Sequence, residues 1–143
     1  MSDKMRWRYG ETRPVPAAVD TDTVIEIGDL VFQVDGRVKP ASEASLSDTF
    51  APKFLGVAMQ RSREGDNKPI RVATDGVFVF ECDPTYAELG DLVAVAEDGT
   101  ATPYNQRVEK TTEESLAIGR VARREAFSSQ ELLIEIRSAV MGR

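Results

Sequence analysis

The sequence predicts a mainly β fold, a compact antiparallel barrel or sandwich with few short helical turns. Short apolar stretches rich in β-branched residues recur along the chain and end at Asp-Gly pairs, which favour tight hairpin turns. Helical periodicity of 3.6 residues is scarce. With 41% hydrophobic and 29% charged residues, the 143 residues suffice for one packed core or two very small β units sharing one.

Residues 1–22 are predicted to form an extended N-terminal arm. The segment from Arg13 to Pro16, Arg-Pro-Val-Pro, favours an extended path, because each proline fixes φ and biases the preceding residue away from helix. Trp7, the only tryptophan, lies in this arm among basic and aromatic side chains. The arm is therefore expected to differ in structure and role from the β domain over 23–143.

The first part of the β domain has four features that predict strands and turns. Its apolar stretches, each predicted as a strand, are 24–27, 30–34, 54–59, 70–73 and 77–82. Asp35-Gly36 and Asp75-Gly76 are predicted turns. Residues 40–53 are expected to form a loop with one helical turn. Residues 61–69 are expected to form a polar turn.

The second part repeats this organisation. Its predicted strands are 89–95, 117–122 and 131–136, with Asp98-Gly99 as a turn after the first. Residues 103–114 are polar and carry no strand pattern. Short helical turns are predicted near Thr85–Leu89 and Thr112–Leu116.

The two parts align as pseudo-repeats over 24–80 and 86–140. Gly-Asp-Leu-Val occurs at 28–31 and again at 90–93, and Leu55-Gly56 matches Ile118-Gly119. Ile-Arg-Val at 70–72 aligns with Ile-Glu-Ile at 134–136. Glycine permits a left-handed turn, and the following aspartate caps it by accepting backbone N–H bonds. The predicted structural-turn residues are Gly28, Asp29, Gly56, Gly90, Asp91 and Gly119.

Composition disfavours several classes of function. Histidine is absent and Cys82 is the only cysteine, so the commonest general base, an internal disulfide and a cysteine-based zinc site are missing. We therefore expect no enzymatic activity, no catalytic residue, no cofactor and no metal. The net charge of −6 disfavours direct binding to nucleic acid.

Targeting features are also missing from the pattern. No apolar region follows the basic residues near the N-terminus, so a secretory signal is not expected. No apolar run approaches the ~18 residues that would span a membrane, so no membrane partner is expected. A soluble protein of the cytoplasm, before it assembles onto another surface, fits this pattern.

The arm is the best candidate for a partner-binding site. Tryptophan and arginine are enriched among interface hot spots, and an extended arm can add a strand to the sheet of a neighbour. The alternative is a frayed terminus, or Trp7 folded onto its own core. The partner-binding residues predicted in the arm are Arg6, Trp7, Arg8, Tyr9 and Arg13.

Other polar clusters favour ordinary surface or core roles. The acidic residues Asp20, Asp22, Glu26 and Asp29 lack the spacing of a calcium loop, so a solvated face is expected, with Asp29 capping a turn. Cys82 ends an apolar strand and has no histidine to activate it. Pairs such as Glu113-Glu114 and the arginines at 120, 123 and 124 are expected at the surface.

A set of turn and strand motifs appears in a familiar order. The motifs are Gly-Val-Ala at 56–58, Val-Ala-Thr-Asp-Gly-Val-Phe at 72–78, Gly-Asp-Leu-Val at 90–93 with Gly99, Ile-Gly-Arg-Val at 118–121 and Leu-Ile-Glu-Ile at 133–136. In this order the stretch 54–139 resembles the small cement, or decoration, proteins of tailed bacteriophage capsids.

The resemblance implies a β-tulip type of barrel and a structural role. Such proteins are commonly homotrimers that bind the outside of the shell at junctions between major capsid protein subunits and so stabilise it. The implied partners are the major capsid protein and further copies of the chain. The implied location is the virion exterior, after a period in the host cytoplasm.

A small ligand- or carbohydrate-binding β module is the alternative. Such a module needs aromatic side chains exposed on a groove. Aromatic residues make up only 7% of the chain, and Phe32, Phe78 and Phe80 are expected inside strands. An enzyme that uses Asp, Glu, Lys or Tyr is a third class, which the missing histidine disfavours.

Overall fold

The computed structural model describes residues 4–45 and 47–141. Residues 1–3, 46 and 142–143, predicted to belong to the arm and the β domain, lie outside the described part. The fold is mainly β, as predicted, with a closed five-stranded barrel, a second sheet and a few short helical turns. The strands are β1 Trp7–Tyr9, β2 Val15–Ala17, β3 Leu30–Val34, β4 Arg37–Pro40, β5 Phe54–Ala58, β6 Ile70–Ala73, β7 Val77–Ala87, β8 Leu92–Glu97, β9 Pro103–Lys110, β10 Ala117–Val121 and β11 Glu125–Ile136. Helical turns occur at Ala41–Glu43, Ser47–Phe50, Ala51–Lys53 and Glu114–Leu116.

The C-terminal unit is the closed barrel. Its strands follow the order β7-β11-β10-β8-β9, and β9 returns to β7 through a parallel pairing between Glu81 and Arg107. Antiparallel pairing joins the other neighbours in this order. Closure leaves no long sheet edge within the barrel itself.

The N-terminal unit has the same strand order. Its sheet follows β2-β6-β5-β3-β4, all antiparallel. Val38 of β4 donates a 2.9 Å backbone hydrogen bond to the oxygen of Ala18, directly after β2. This bond brings together the two ends of the sheet at the position where Glu81 and Arg107 close the barrel. The two units are therefore versions of one five-stranded motif.

The strands of the two units differ in register and in the length of their connections. Val31 and Val93, 62 positions apart, face Pro40 and Lys110 on the next strand, which are 70 positions apart. The second hairpin is thus longer, and the connection before β10 is correspondingly shorter than the helical turns before β5. Val72 of β6 is equivalent to Ile134 of β11, because Val72 faces Ala58 and Ile134 faces Val121, which is the residue equivalent to Ala58. The predicted alignment of residues 70–72 with residues 134–136 is therefore wrong.

Two local predictions are wrong for identifiable reasons. Residues 24–27 do not form a strand, because they turn into the capped Gly28-Asp29 corner and only Ile25 bridges to Ser62. Thr85 and Tyr86 belong to β7 rather than to a helical turn, because β11 pairs with β7 as far as Ala87.

One large apolar cluster joins the two units. Leu30, Phe32 and Phe54 of the N-terminal sheet pack in the same cluster as Phe78 and Phe80 of the barrel. Phe50, from the helical turns, lies between Phe32 and Phe54 with ring centroids 5.5 Å from each. A second cluster, including Val31, Leu55 and Val72, fills the other face of the N-terminal sheet. The two units therefore share one large cluster, and the N-terminal unit also has a smaller cluster of its own.

Candidate functional site

The N-terminal arm lies along the body of the protein. Its first strand, β1, pairs antiparallel with the start of β7, where Trp7 faces Phe78 and Tyr9 faces Val77. Its second strand, β2, pairs with β6. The arm thus crosses from the barrel to the N-terminal sheet and adds a strand to each.

Arg6 anchors the arm and is buried, with 3% of its side chain exposed. Its Nε donates a 2.7 Å hydrogen bond to Oε1 of Gln106, and its Nη1 donates one of 3.3 Å to the oxygen of Val79. The guanidinium lies 5.4 Å from the centroid of the Phe80 ring and 3.7 Å from a carboxylate oxygen of Glu81. Burial lowers the pKa of Arg6, and the charge of Glu81 opposes that shift. The donors of Arg6 are therefore used inside the protein and not at an exposed binding surface.

Gln106 extends this anchor to the other unit. Its amide nitrogen donates to Oδ1 of Asp29 at 2.8 Å and to the oxygen of Ile27 at 3.2 Å. A Cβ at Gly28 would collide with the oxygen of Lys4, which belongs to the arm. The buried network therefore fixes three segments together: the arm, the first Gly-Asp turn and β9.

Trp7 and Tyr9 form an exposed apolar surface on β1, with Met5 beside them in sequence. Their side chains are 41% and 52% exposed. The indole Nε1 of Trp7 donates a 3.0 Å hydrogen bond to the oxygen of Gly10, which holds the ring in place. Arg8 and Arg13 are also exposed. We call Met5, Trp7 and Tyr9 the β1 patch; it keeps all the predicted interface aromatics at the surface.

A second exposed apolar surface lies at the far end of β7. Tyr86 is 62% exposed and Phe127, on β11, is 84% exposed, and Leu89 follows shortly after β7. The pairings Ala87–Glu125 and Thr85–Ser129 place Tyr86 opposite the segment 126–128. We call Tyr86, Leu89 and Phe127 the ribbon patch. This patch was not predicted from the sequence, because isolated aromatic residues in polar stretches give no periodic pattern.

The two patches lie near opposite ends of β7. Trp7 faces Phe78 near the start of β7, and Tyr86 lies eight residues further along the same strand. At about 3.3 Å per residue, the patches are up to about 26 Å apart. The pairing of β7 with β11 as far as Ala87 links the two patches through one continuous pair of strands.

The Gly-Asp turns are equivalent in the two units. Gly28 and Gly90 have φ of 97° and 86°, the left-handed region that glycine tolerates. A carboxylate oxygen of Asp29 accepts the N–H of Glu26 at 3.0 Å, and one of Asp91 accepts that of Glu88 at 2.9 Å. These turns set the entry of β3 and β8 into the core.

Gly56 and Gly119 are equivalent positions of close strand approach. A Cβ at Gly56 would collide with the oxygen of Ala73 on β6, and one at Gly119 with the oxygen of Glu135 on β11. Both residues are buried. Glycine is required there by the space between strands, not by an unusual φ.

The acidic residues near the first turn do not converge. Asp20 pairs with Arg37 at 2.8 Å and with Lys39 at 4.0 Å, whereas Asp29 is buried in the Gln106 network. Among the residues described, no group of three or more His, Cys, Asp or Glu side chains is arranged to hold a metal ion.

Cys82 is a buried thiol at the point where β7 leaves the core. Its Sγ lies 3.6 Å from the oxygen of Ser129, to which the thiol donates. Burial raises the pKa of the Cys82 thiol, which keeps it protonated and weakly nucleophilic.

An open groove of about 760 Å³ lies between the arm and β10. Charged residues of both signs line it: Arg13, Arg120 and Arg137 with Asp75, Glu114 and Glu135. Arg120 Nη1 donates to the oxygen of Gly90 at 2.8 Å. Exposed charges of both signs favour a polar protein surface over an apolar small molecule.

Comparison with known proteins leaves the chain without an assigned family. No family model matches the sequence, and no curated protein matches it. Within the part of the chain that the structure describes, no helix is long and apolar enough to cross a membrane.

Proposed function

We propose that this chain is a non-enzymatic structural protein that decorates and stabilises a viral capsid. It binds the outside of the shell at junctions between major capsid protein subunits, and its copies associate as homotrimers. The observation that carries the proposal is the pair of exposed apolar patches at the two ends of β7. A protein that joins two neighbouring subunits needs two separate contact surfaces on a body that does not deform.

The barrel and the second sheet, joined by one large apolar cluster, supply the rigid body. Large aromatic residues, including Phe50, Phe54, Phe78 and Phe80, are fully buried between the units. The Arg6 network fixes the arm to this core, so Trp7 and Tyr9 need no ordering when they bind. Preorganised aromatic side chains bind with a smaller entropy cost than those of a free arm.

The patches have the composition of interface hot spots. Trp7, Tyr9 and Tyr86 belong to the residue types that dominate binding energy. An interface of standard size buries about 800 Å² per partner. Many such contacts around a shell give avidity that one contact lacks. The net charge of −6 favours solubility of the free protein before it docks.

The test uses empty shells assembled from the major capsid protein encoded in the same genome. Wild type is compared with Trp7→Ala/Tyr9→Ala and Tyr86→Ala/Phe127→Ala by co-sedimentation with shells, after circular dichroism has shown that each variant folds. Removing either pair should weaken binding at least about tenfold, the size expected for hot-spot residues. Wild-type protein should raise the melting temperature of the shells, and both double variants should lose this effect.

Val24→Ala is the matched control. Val24 is an exposed apolar residue that belongs to neither patch. This variant should decorate shells like wild type. Wild-type protein that fails to co-sediment, or double variants that bind as tightly as the control, would overturn the proposal.

A carbohydrate-binding module is the second candidate. The observation that favours it is the exposure of Trp7 on a strand, with its indole held by Gly10. Sugars stack on such aromatic faces. A glycan array distinguishes the two functions: binding of wild type that is lost in Trp7→Ala supports this candidate.

A further inference from the structure

The link between β1 and β2 contains an unfavourable backbone conformation. Arg13 has φ of 44°, in the left-handed region, although it is a long-chain residue and precedes Pro14. Both features disfavour this conformation: the side chain through its Cβ, and proline by pushing its predecessor towards extended φ and ψ. The link is therefore a short hinge under strain.

The contacts of the arm on each side of Arg13 are independent of the hinge. On the N-terminal side, Arg6 binds Gln106, and the oxygen of Thr12 accepts N–H bonds from Thr74 at 2.8 Å and Asp75 at 3.1 Å. On the C-terminal side, β2 pairs with β6. An arm supplied by a second copy would make the same contacts as far as Thr12.

Within the part of the chain that the structure describes, the contacts that an exchange must alter are those of Arg13. Its oxygen accepts from Thr74 Oγ1 at 2.7 Å, and its side chain lies 3.8 Å from Asp75 at the exposed surface. An exposed ion pair of this length contributes little. Release of the strained φ of Arg13 therefore favours the exchanged form, and loss of the hydrogen bond from Thr74 opposes it.

The surface beside the hinge suits a second copy. The groove there is lined by three arginines and three acids. Because the groove has equal numbers of both signs, each arginine of one copy can face an acid of a neighbouring copy. Because the hinge consists only of Arg13 and Pro14, exchange also requires the copies to meet close to Thr74 and Asp75, which line this groove.

We propose that residues 4–12 exchange between copies of this chain. The arm of one copy pairs with β7 of the next, Arg6 enters the neighbour's Gln106 network, and Arg13 becomes extended. Short strained hinges favour such exchange. Trp7 and Tyr9 stay at the surface, because β1 occupies the same place on the neighbour's barrel. The exchange is independent of the proposed capsid function.

A disulfide trap tests the exchange directly. Tyr9 and Val77 are partners on adjacent strands, so Tyr9→Cys/Val77→Cys in a Cys82→Ser background forms a bond wherever β1 docks. Purified protein, with no shell present, is oxidised and run on a non-reducing gel. Exchange predicts covalently linked dimers or larger closed species. A cross-linked monomer as the only product contradicts the proposal.

A matched pair of hinge variants separates strain from charge. Arg13→Gly accepts the positive φ, whereas Arg13→Ala removes the guanidinium and keeps the strain. Light scattering should show that Arg13→Gly raises the dissociation constant at least about tenfold, as expected from the cost of a left-handed non-glycine residue, whereas Arg13→Ala should change it much less. Equal association of the two variants would overturn the proposal.

Discussion

At the scale of single residues, Arg6 shows how a surface-type residue becomes part of a core. Its aliphatic stem and guanidinium lie against Phe80 while its donors bind Gln106 and the oxygen of Val79. A buried cation needs such partners, since it is otherwise costly to remove from water. The sequence pattern of Arg-Trp-Arg-Tyr cannot distinguish this anchor from its exposed neighbour Arg8.

Arg6→Met should therefore destabilise the fold. The change keeps most of the apolar stem but removes the donors to Gln106 and Val79, and charged hydrogen bonds of this kind predict a loss of about 2–4 kcal/mol in the free energy of unfolding. Urea denaturation measures it. The control Arg8→Met, at an exposed position, should change stability by less than about 0.5 kcal/mol. Equal stability of the two variants would rule out the anchor.

The paired glycines make a second prediction at this scale. Gly56→Ala and Gly119→Ala should each cost about 3 kcal/mol or more, because the new methyl group collides with a backbone oxygen of the next strand. Gly99→Ala is the control, since no atom lies near its added Cβ. Thermal melts of all three variants check the pattern. A Gly119→Ala variant as stable as Gly99→Ala would refute the close approach.

At the scale of elements, one hairpin differs between the two units. The first has a two-residue turn, with Asp35 and Gly36 at φ of 53° and 76°, both in the left-handed region. The second has a longer loop in which Oδ1 of Asp98 accepts from the backbone N–H groups of Thr100 and Thr102 and from the Thr100 hydroxyl. The second loop therefore depends on an ionised side chain.

This loop gives a pH-dependent prediction. The hydrogen bonds from Thr100 and Thr102 lower the pKa of Asp98 below its ordinary value. Its contribution is then fully present above the unfolded pKa of about 3.9 and is lost as the pH falls through the lower folded pKa. NMR titration of the carboxyl carbon should show the low pKa, and Thr100→Val should raise it. A pKa of Asp98 that Thr100→Val leaves unchanged would contradict this assignment.

The sequence predicted the elements that apolar patterning marks and missed those that closure creates. Strands such as β3, β5 and β8 are short, continuous runs of mostly buried apolar residues, so their pattern is local. β9 is polar, and it is a strand because β8 and β7 pair with it on both sides. The outer halves of β7 and β11 likewise depend on each other. In the candidate site, Trp7 and Tyr9 were predicted, whereas Phe127 was not, because exposure is a tertiary property.

At the scale of the whole molecule, the shared cluster couples the two units. Phe32 and Phe54 belong to one unit and Phe78 and Phe80 to the other, yet all lie in one buried cluster. Each unit therefore covers part of the apolar surface of the other. Duplication of a small β motif thus produces one cooperative body rather than two independent domains.

Unfolding should therefore be a single transition. Trp7 reports on the arm and the barrel, while far-UV circular dichroism reports on both sheets. The two signals should follow superimposable curves in urea, as two-state unfolding requires. Separate midpoints for the two signals would show that the units unfold independently and would contradict the shared core.

We propose that one rigid body contacts two capsid subunits through the β1 patch and the ribbon patch. Cryo-electron microscopy of shells decorated with the purified protein tests it most directly. We expect density at a junction between major capsid subunits, with Trp7 and Tyr9 against one subunit and Tyr86 and Phe127 against its neighbour. Decorating density that leaves both patches facing solvent, or shells that remain bare at saturating protein, would contradict it.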